Sequence, residues 1–199
     1  MGRTGQVAVM REWIHTITVD GSRDTRAGET GVGMVVQERG SGNGRGPILA
    51  EIGEFHFAFW PCALGYWCER LAILRALEIA AECGYKRMVI RSDYNWLRKH
   101  LREALRTEAL ADLNEFDQEI IRCAMAFEWM DFRFVPRREN QIAHRLANQA
   151  RLGGRSVGTS IAVPGGAPTF SVAAWCGCKR SDSQSQRRRS NLPGGNDDD

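Results

Sequence analysis

Apolar and polar positions change period in an orderly way along the chain, and each change marks an element. Trp13-Ile14-His15-Thr16-Ile17-Thr18-Val19-Asp20 is rich in β-branched and aromatic side chains and runs into Gly21-Ser22. This predicts a strand over 13–20 closed by a turn. A second such run, 33–38, precedes Arg39-Gly40-Ser41-Gly42-Asn43-Gly44, a hairpin-like connection. Residues 48–59 alternate, with Phe55, Phe57 and Phe59 on one side, so a third strand pairs back to complete an antiparallel meander. Residues 69–82 contain neither Gly nor Pro, and only Arg70, Arg75, Glu78 and Glu82 interrupt their apolar surface. That is a largely buried helix, ended by Cys83-Gly84-Tyr85. Residues 86–92 enclose a short strand, Met88-Val89-Ile90, and helical stretches follow near 96–105 and 115–127. A strand over 129–135 stops at Pro136, and a last helix over about 140–152 carries the stripe Ile142, Ala143, Leu146, Ala147, Ala150. This order implies a mixed sheet with helices on its faces, its first and fourth strands neighbours through a right-handed crossover.

A hydrophobic content of 43% fills an ordinary core. No apolar run approaches the length of a membrane span. The start, Met1-Gly2-Arg3-Thr4-Gly5, lacks the apolar centre of a secretory signal, and Gln6 stands where myristoylation needs Ser or Thr. An intracellular protein, cytoplasmic or nuclear, is expected. The net charge of +3 is not the excess of a dedicated nucleic-acid coat protein, so any basic surface must come from local arrangement. Six cysteines make no zinc pair of the C-x2-C type, and Cys83 and Cys123 sit in helical patterns, so free thiols in a reducing compartment are expected. From Gly153 onward the chain is rich in Gly, Ser, Pro, Arg and Asp, with one apolar island at 170–175. The expected organisation is an N-terminal extension over 1–12, one domain over 13–152 and a disordered tail over 153–199. Arg187-Arg188-Arg189 in that tail reads as solvated charge or as a contact to an importin or a phosphate backbone.

Three acidic residues fall at special places in this layout. Asp20 closes the first strand, Glu69 opens the buried helix, and Asp93 closes the fourth strand before a helix begins at Tyr94. Each alone also reads as a helix cap or a partner of the helix dipole. Together, on neighbouring strands and the crossover between them, they converge at one end of the sheet. Gathered carboxylates repel one another unless cations neutralise them. Oxygen-only ligands favour Mg2+, and two such ions can activate water and stabilise the leaving oxygen in phosphodiester hydrolysis.

These residues sit in recognisable runs. Thr18-Val19-Asp20-Gly21-Ser22 followed by Gly31-Val32-Gly33-Met34-Val35-Val36 resembles the first hairpin of the ribonuclease H family. Glu69-Arg70-Leu71-Ala72-Ile73-Leu74-Arg75-Ala76-Leu77-Glu78 is similar to its Glu-bearing helix, and Ile90-Arg91-Ser92-Asp93 to its fourth-strand motif. Val135-Pro136-Arg137-Arg138-Glu139-Asn140, with Ala143-His144-Arg145-Leu146-Ala147-Asn148, resembles the closing motif of the plant reverse-transcriptase-like branch. The resemblance covers roughly 13–152. It implies an α/β ribonuclease H-like fold: a five-stranded mixed sheet, three antiparallel strands and then parallel ones, with helices on both faces. It also implies a tetrad that binds Mg2+ or Mn2+, and cleavage of the RNA strand of RNA–DNA hybrids; a monomer is expected.

Two departures bear on that expectation. The fourth acidic position is His144, in the first turns of the last helix. An imidazole there reads either as a ligand better suited to Mn2+ or Zn2+, as in argonaute slicers, or as an edge histidine without a metal role. The expected site is therefore Asp20, Glu69, Asp93 and His144. Second, the family's minor-groove asparagines are replaced by Leu64-Gly65-Tyr66-Trp67 and Arg23-Asp24-Thr25-Arg26. Ser22, Arg23, Arg26, Tyr66 and Trp67 are candidates for nucleic-acid contact by hydrogen bond, charge or stacking, although Tyr66 and Trp67 also read as packing. Arg98 and Lys99 offer a modest phosphate-binding face, or an ordinary solvated helix. Cys62 and Cys68 near Glu69 lack a histidine partner for thiol chemistry. The alternative function is a nucleic-acid-binding module with a degraded tetrad, possibly of mobile-element origin.

Overall fold

The computed structural model describes residues 13–24, 26–39, 46–57 and 66–158, with the side chains of Leu97 and Arg98 excepted. The 1–12 extension, the 40–44 part of the first connection, Phe59, Cys62, Leu64-Gly65, and the expected tail from 159 lie outside the described residues. The first three strands are β1 (Ile14–Asp24), β2 (Glu29–Arg39) and β3 (Ile48–Phe57), followed by α1 (Trp67–Glu82) and β4 (Arg87–Ser92). A π-helical turn, Leu97–Leu101, leads into α2 (Arg102–Thr107); then come α3 (Glu115–Met125), β5 (Trp129–Phe134), α4 (Gln141–Gly153) and β6 (Val157–Gly158).

The sheet has six strands in the order β5-β4-β1-β2-β3-β6, one more than expected. The extra strand is short: after α4 the chain turns at Gly154 and pairs Val157 with Gly53 and Gly158 with Ile52. α4 itself runs to Gly153, and β6 follows it. β1, β2 and β3 form the antiparallel meander, while β1 with β4 and β4 with β5 are parallel. Between β2 and β4, β1 is covered on both faces, and His15–Asp20 are buried without a break.

β1 also differs from its expected length. It runs four residues beyond Asp20, with Gly21 opposite Val32 and Ser22 opposite Gly31. The turn comes later, where the Asp24 carboxylate accepts the backbone N–H groups of Arg26 and Ala27. Gly21 is there for proximity. A side chain at that position would overlap the Cys68 carbonyl and come within 2.7 Å of the Glu69 amide nitrogen. The same device seats α4 on the opposite face. A Cβ at Gly31 or Gly33 would collide with the carbonyl oxygens of Ala147 and Ala143.

Two apolar layers result. Ile17, Val19, Met34, Ile52, Ile90 and Phe132 pack beneath α1 and α3, and a smaller cluster joins Val35 to Ala143 and Leu146 of α4. The charged residues that interrupt the α1 surface are accommodated in pairs. Arg70 makes two hydrogen bonds to Asp117 of α3, at 2.7 and 3.1 Å, and Arg75 makes two to Glu54 of β3, at 2.9 and 3.1 Å. α1 ends as expected: Gly84, at φ +70°, donates to Ala81, and Tyr85 donates to Ala80. No described helix is long and apolar enough to cross a membrane.

Candidate active site

The register of β1 against β4 places Asp20 and Asp93 side by side, because Thr18 pairs with Arg91 and both strands run the same way. α1 starts over Gly21 and lowers Glu69 onto them, its carboxylate accepting the Gly21 N–H at 3.3 Å. One ligand oxygen from each of Asp20, Glu69 and Asp93 lies within 4.8 Å of the others. Asp20 is fully buried. Burial, aided by Asp93 and offset by His144 and Arg137, raises its pKa to about 6. Burial and the two neighbouring aspartates raise Glu69 to about 8. Against the pull of its own partial burial, hydrogen bonds from Arg137 and Asn140 hold Asp93 below the usual carboxylate value.

His144 stands outside that three-carboxylate group and meets Asp20 of the three, with Nδ1 at 2.9 Å from Oδ2. α4 sets it there through the close seating of Ala143 and Ala147 on Gly33 and Gly31. If Nδ1–H donates to Asp20, Nε2 is left to accept from Arg137 or Asn148, each at 3.0 Å.

Three residues that sequence reasoning did not single out complete the site. After Pro136 the chain makes a short 3-10 turn, Arg137–Glu139, which swings Arg137 back over the carboxylates. Its Nη1 donates to Asp20 at 2.9 Å and to Asp93 at 2.8 Å. Asn140 is buried, and its amide nitrogen lies 3.0 Å from the Val19 carbonyl, 3.2 Å from Asp20 and 2.7 Å from Asp93. Its oxygen has no hydrogen-bond partner among the described residues. Asn148 accepts from the Ser22 hydroxyl at 2.7 Å, and that hydroxyl accepts from Arg151 at 2.9 Å, so Ser22 is tied into α4. The sequence signal was a polar run between a Pro-terminated strand and an apolar stripe. It does not reveal which of Arg137 and Arg138 turns inward.

The other candidates scatter. Arg23 is half-buried at the end of β1, and Arg26 is exposed on the β1–β2 turn. Tyr66 is exposed and stacks on Tyr94, whereas Trp67 packs on Phe116 with centroids 4.2 Å apart. Lys99 is exposed on the π-helical turn, and the Arg98 side chain lies outside the described residues. Burial pushes the Cys68 thiol up to about 11, which leaves it no nucleophilic thiolate at neutral pH.

Comparison with known proteins agrees with this architecture. The model of the family described as reverse transcriptase-like matches residues 18–150. Comparison with curated proteins finds no match. Among solved structures, ribonuclease H1 from the halophilic archaeon Halobacterium salinarum shares 27% identity at a TM-score of 0.53, over 69% of this chain and 96% of that one. The N-terminal ribonuclease H domain of a Mycobacterium tuberculosis protein, solved as a fusion with maltose-binding protein, shares 22% at 0.53, over 70% and 94%. LC11 ribonuclease H1, in complex with an RNA/DNA hybrid, shares 20% at 0.52, over 70% and 98%; likeness at these last two levels carries the fold alone. The family match begins within β1 and ends within α4, enclosing all four expected site residues, and the chain belongs to the reverse transcriptase-like family of ribonuclease H-like domains.

Proposed function

We propose that this chain is a divalent-cation-dependent nuclease that hydrolyses the RNA strand of RNA–DNA hybrids. The observation that carries the reading is the set of three convergent carboxylates, two of them with raised pKa values. Such a set is electrostatically unfavourable by itself, and its all-oxygen donors suit Mg2+ or Mn2+. Asp20, Glu69 and Asp93 would hold the cations, with the His144 imidazole as a neighbouring donor beside Asp20. When bound, a pair of divalent cations neutralises charge on a phosphodiester and acidifies water. Glu69, whose pKa burial raises, would release its proton on taking a cation. Asn140 spans Asp20 and Asp93 and keeps the two carboxylates aligned. Arg137, half-exposed, supplies a positive charge at the mouth of the site, where a phosphodiester would approach. The archaeal ribonuclease H1 at 27% identity supports this class of reaction.

The second reading is a binding module without catalysis. It is favoured by His144 in place of a fourth carboxylate and by the hold of Arg137 on two of the three others. Cleavage assays on RNA–DNA hybrid, double-stranded RNA and double-stranded DNA, each with Mg2+ and with Mn2+, separate the two. The nuclease reading expects cleavage of the hybrid alone, abolished in Asp93→Asn while its circular dichroism spectrum is unchanged. Hybrid binding without cleavage in either metal would decide for the module.

A further inference from the structure

Beside the carboxylates lies an aromatic pair that the proposed hydrolysis does not use. Tyr66 precedes the first turn of α1, three residues before Glu69, and is 58% exposed. Tyr94 directly follows Asp93. The two rings stack with centroids 5.1 Å apart and planes 23° apart. Tyr94 has a firm backing: the Arg70 guanidinium lies 5.9 Å from its ring centroid and 5.3 Å from that of Trp96. Arg70 is itself fixed by its two hydrogen bonds to buried Asp117. Tyr66 is thus the outer leaf of a supported stack, and chain connectivity sets the pair beside two of the three carboxylates, Tyr66 near Glu69 and Tyr94 next to Asp93.

A pair of stacked rings offers a flat, sequence-tolerant surface, and the group that matches it is another flat π-system. Within a continuous duplex the base faces are covered by their neighbours, so only an unstacked base can use such a surface. A nucleotide whose phosphate sits at the carboxylates carries its own base, or the next one, to the flank where Tyr66 and Tyr94 stand. We propose that the Tyr66–Tyr94 pair is a stacking shelf for an unpaired nucleobase next to the scissile phosphate. The chain then favours RNA strands that are bulged or unpaired at that point over an uninterrupted hybrid. The shelf rests on the nuclease reading for the position of the phosphate.

The test uses the full chain with Ca2+ in place of Mg2+, so that binding is read without cleavage. Two hybrids are compared by fluorescence anisotropy: one continuous, one with a single unpaired 2-aminopurine in the RNA strand. The wild type is expected to bind the bulged hybrid about tenfold more tightly and to quench its fluorescence. Tyr66→Ala should erase both the preference and the quenching, and Tyr66→Trp should keep both. Equal binding of the two hybrids by the wild type, or a preference untouched by Tyr66→Ala in a variant with an unchanged melting curve, overturns the shelf. Parallel cleavage assays in Mg2+ keep the two readings apart. Cleavage without a bulge preference removes only the shelf, whereas a Tyr66-dependent preference without cleavage keeps the shelf and removes the nuclease.

Discussion

His144 stands where the resemblance to the ribonuclease H family implies a carboxylate, and its surroundings suit an imidazole. Asp20 presents one oxygen 2.9 Å from Nδ1 and Arg137 a guanidinium nitrogen 3.0 Å from Nε2, so a ring that donates from one nitrogen and accepts at the other satisfies both. A carboxylate at this point would add a fourth negative group and strengthen the demand for a cation. His144→Asp is therefore expected to raise Mg2+-supported hybrid cleavage, by about tenfold if a second cation becomes bound, while lowering the melting temperature in chelator. Unchanged turnover across a Mg2+ titration would show that this position is no ligand. Glu69 and Asp93 are legible in the sequence because they sit where α1 begins and β4 ends, and Asp20 because it precedes Gly21-Ser22, although β1 runs on past it. Arg137 and Asn140 were not: Arg137-Arg138-Glu139-Asn140 reads as one polar linker, and the 3-10 turn that aims the first and last of these inward leaves no periodicity.

Among the elements, glycine was the main source of misreading. Gly21-Ser22 has the composition of a turn, yet it lies within β1, because the N-terminus of α1 comes too close for any side chain. Gly33 opens the second expected strand, and Gly31 falls in β2 only because that strand begins earlier, at Glu29; nothing local says that a helix backbone lies on either. Close approach and backbone conformation both select glycine, and only the fold separates the two causes. The difference is measurable. Gly33→Ala must push α4 off β2 and should cost about 3 kcal/mol or more in urea denaturation. Gly84→Ala meets no neighbour within 4 Å and should cost about 1 kcal/mol, through its left-handed conformation alone. Equal costs would mean that α4 does not sit on β2 as tightly as described. The helix and strand order, by contrast, followed from period alone, because the long apolar patterns of α1 and α4 and the alternation of β3 leave little choice.

For the molecule as a whole, the same carboxylates that suit the site for cations work against the fold when no cation is bound. Glu69 rises from an ordinary 4.5 to about 8 and Asp20 from 3.8 to about 6, so the folded chain holds protons that the unfolded chain releases. Stability from these two groups is highest below their unfolded values and declines as pH climbs through 4 to 8. Glu54 acts in the opposite sense. Despite its burial, hydrogen bonds from His56 and Arg75 hold it below 4.5, and that contribution vanishes as pH drops through the folded value. Metal-free protein should therefore melt highest near pH 4–5 and progressively lower toward pH 8.5. A divalent cation binds only the folded arrangement and competes with the protons, so added Mg2+ should raise the melting temperature most at the alkaline end. Glu69→Gln removes the larger of the two burdens, and its metal-free melting temperature should stay nearly flat from pH 6 to 8.5 while its response to Mg2+ is lost. Calorimetry in chelator and in Mg2+ across this range provides the check. A wild-type melting temperature that rises toward pH 8.5 in chelator would mean that the carboxylates do not crowd one another in the folded chain.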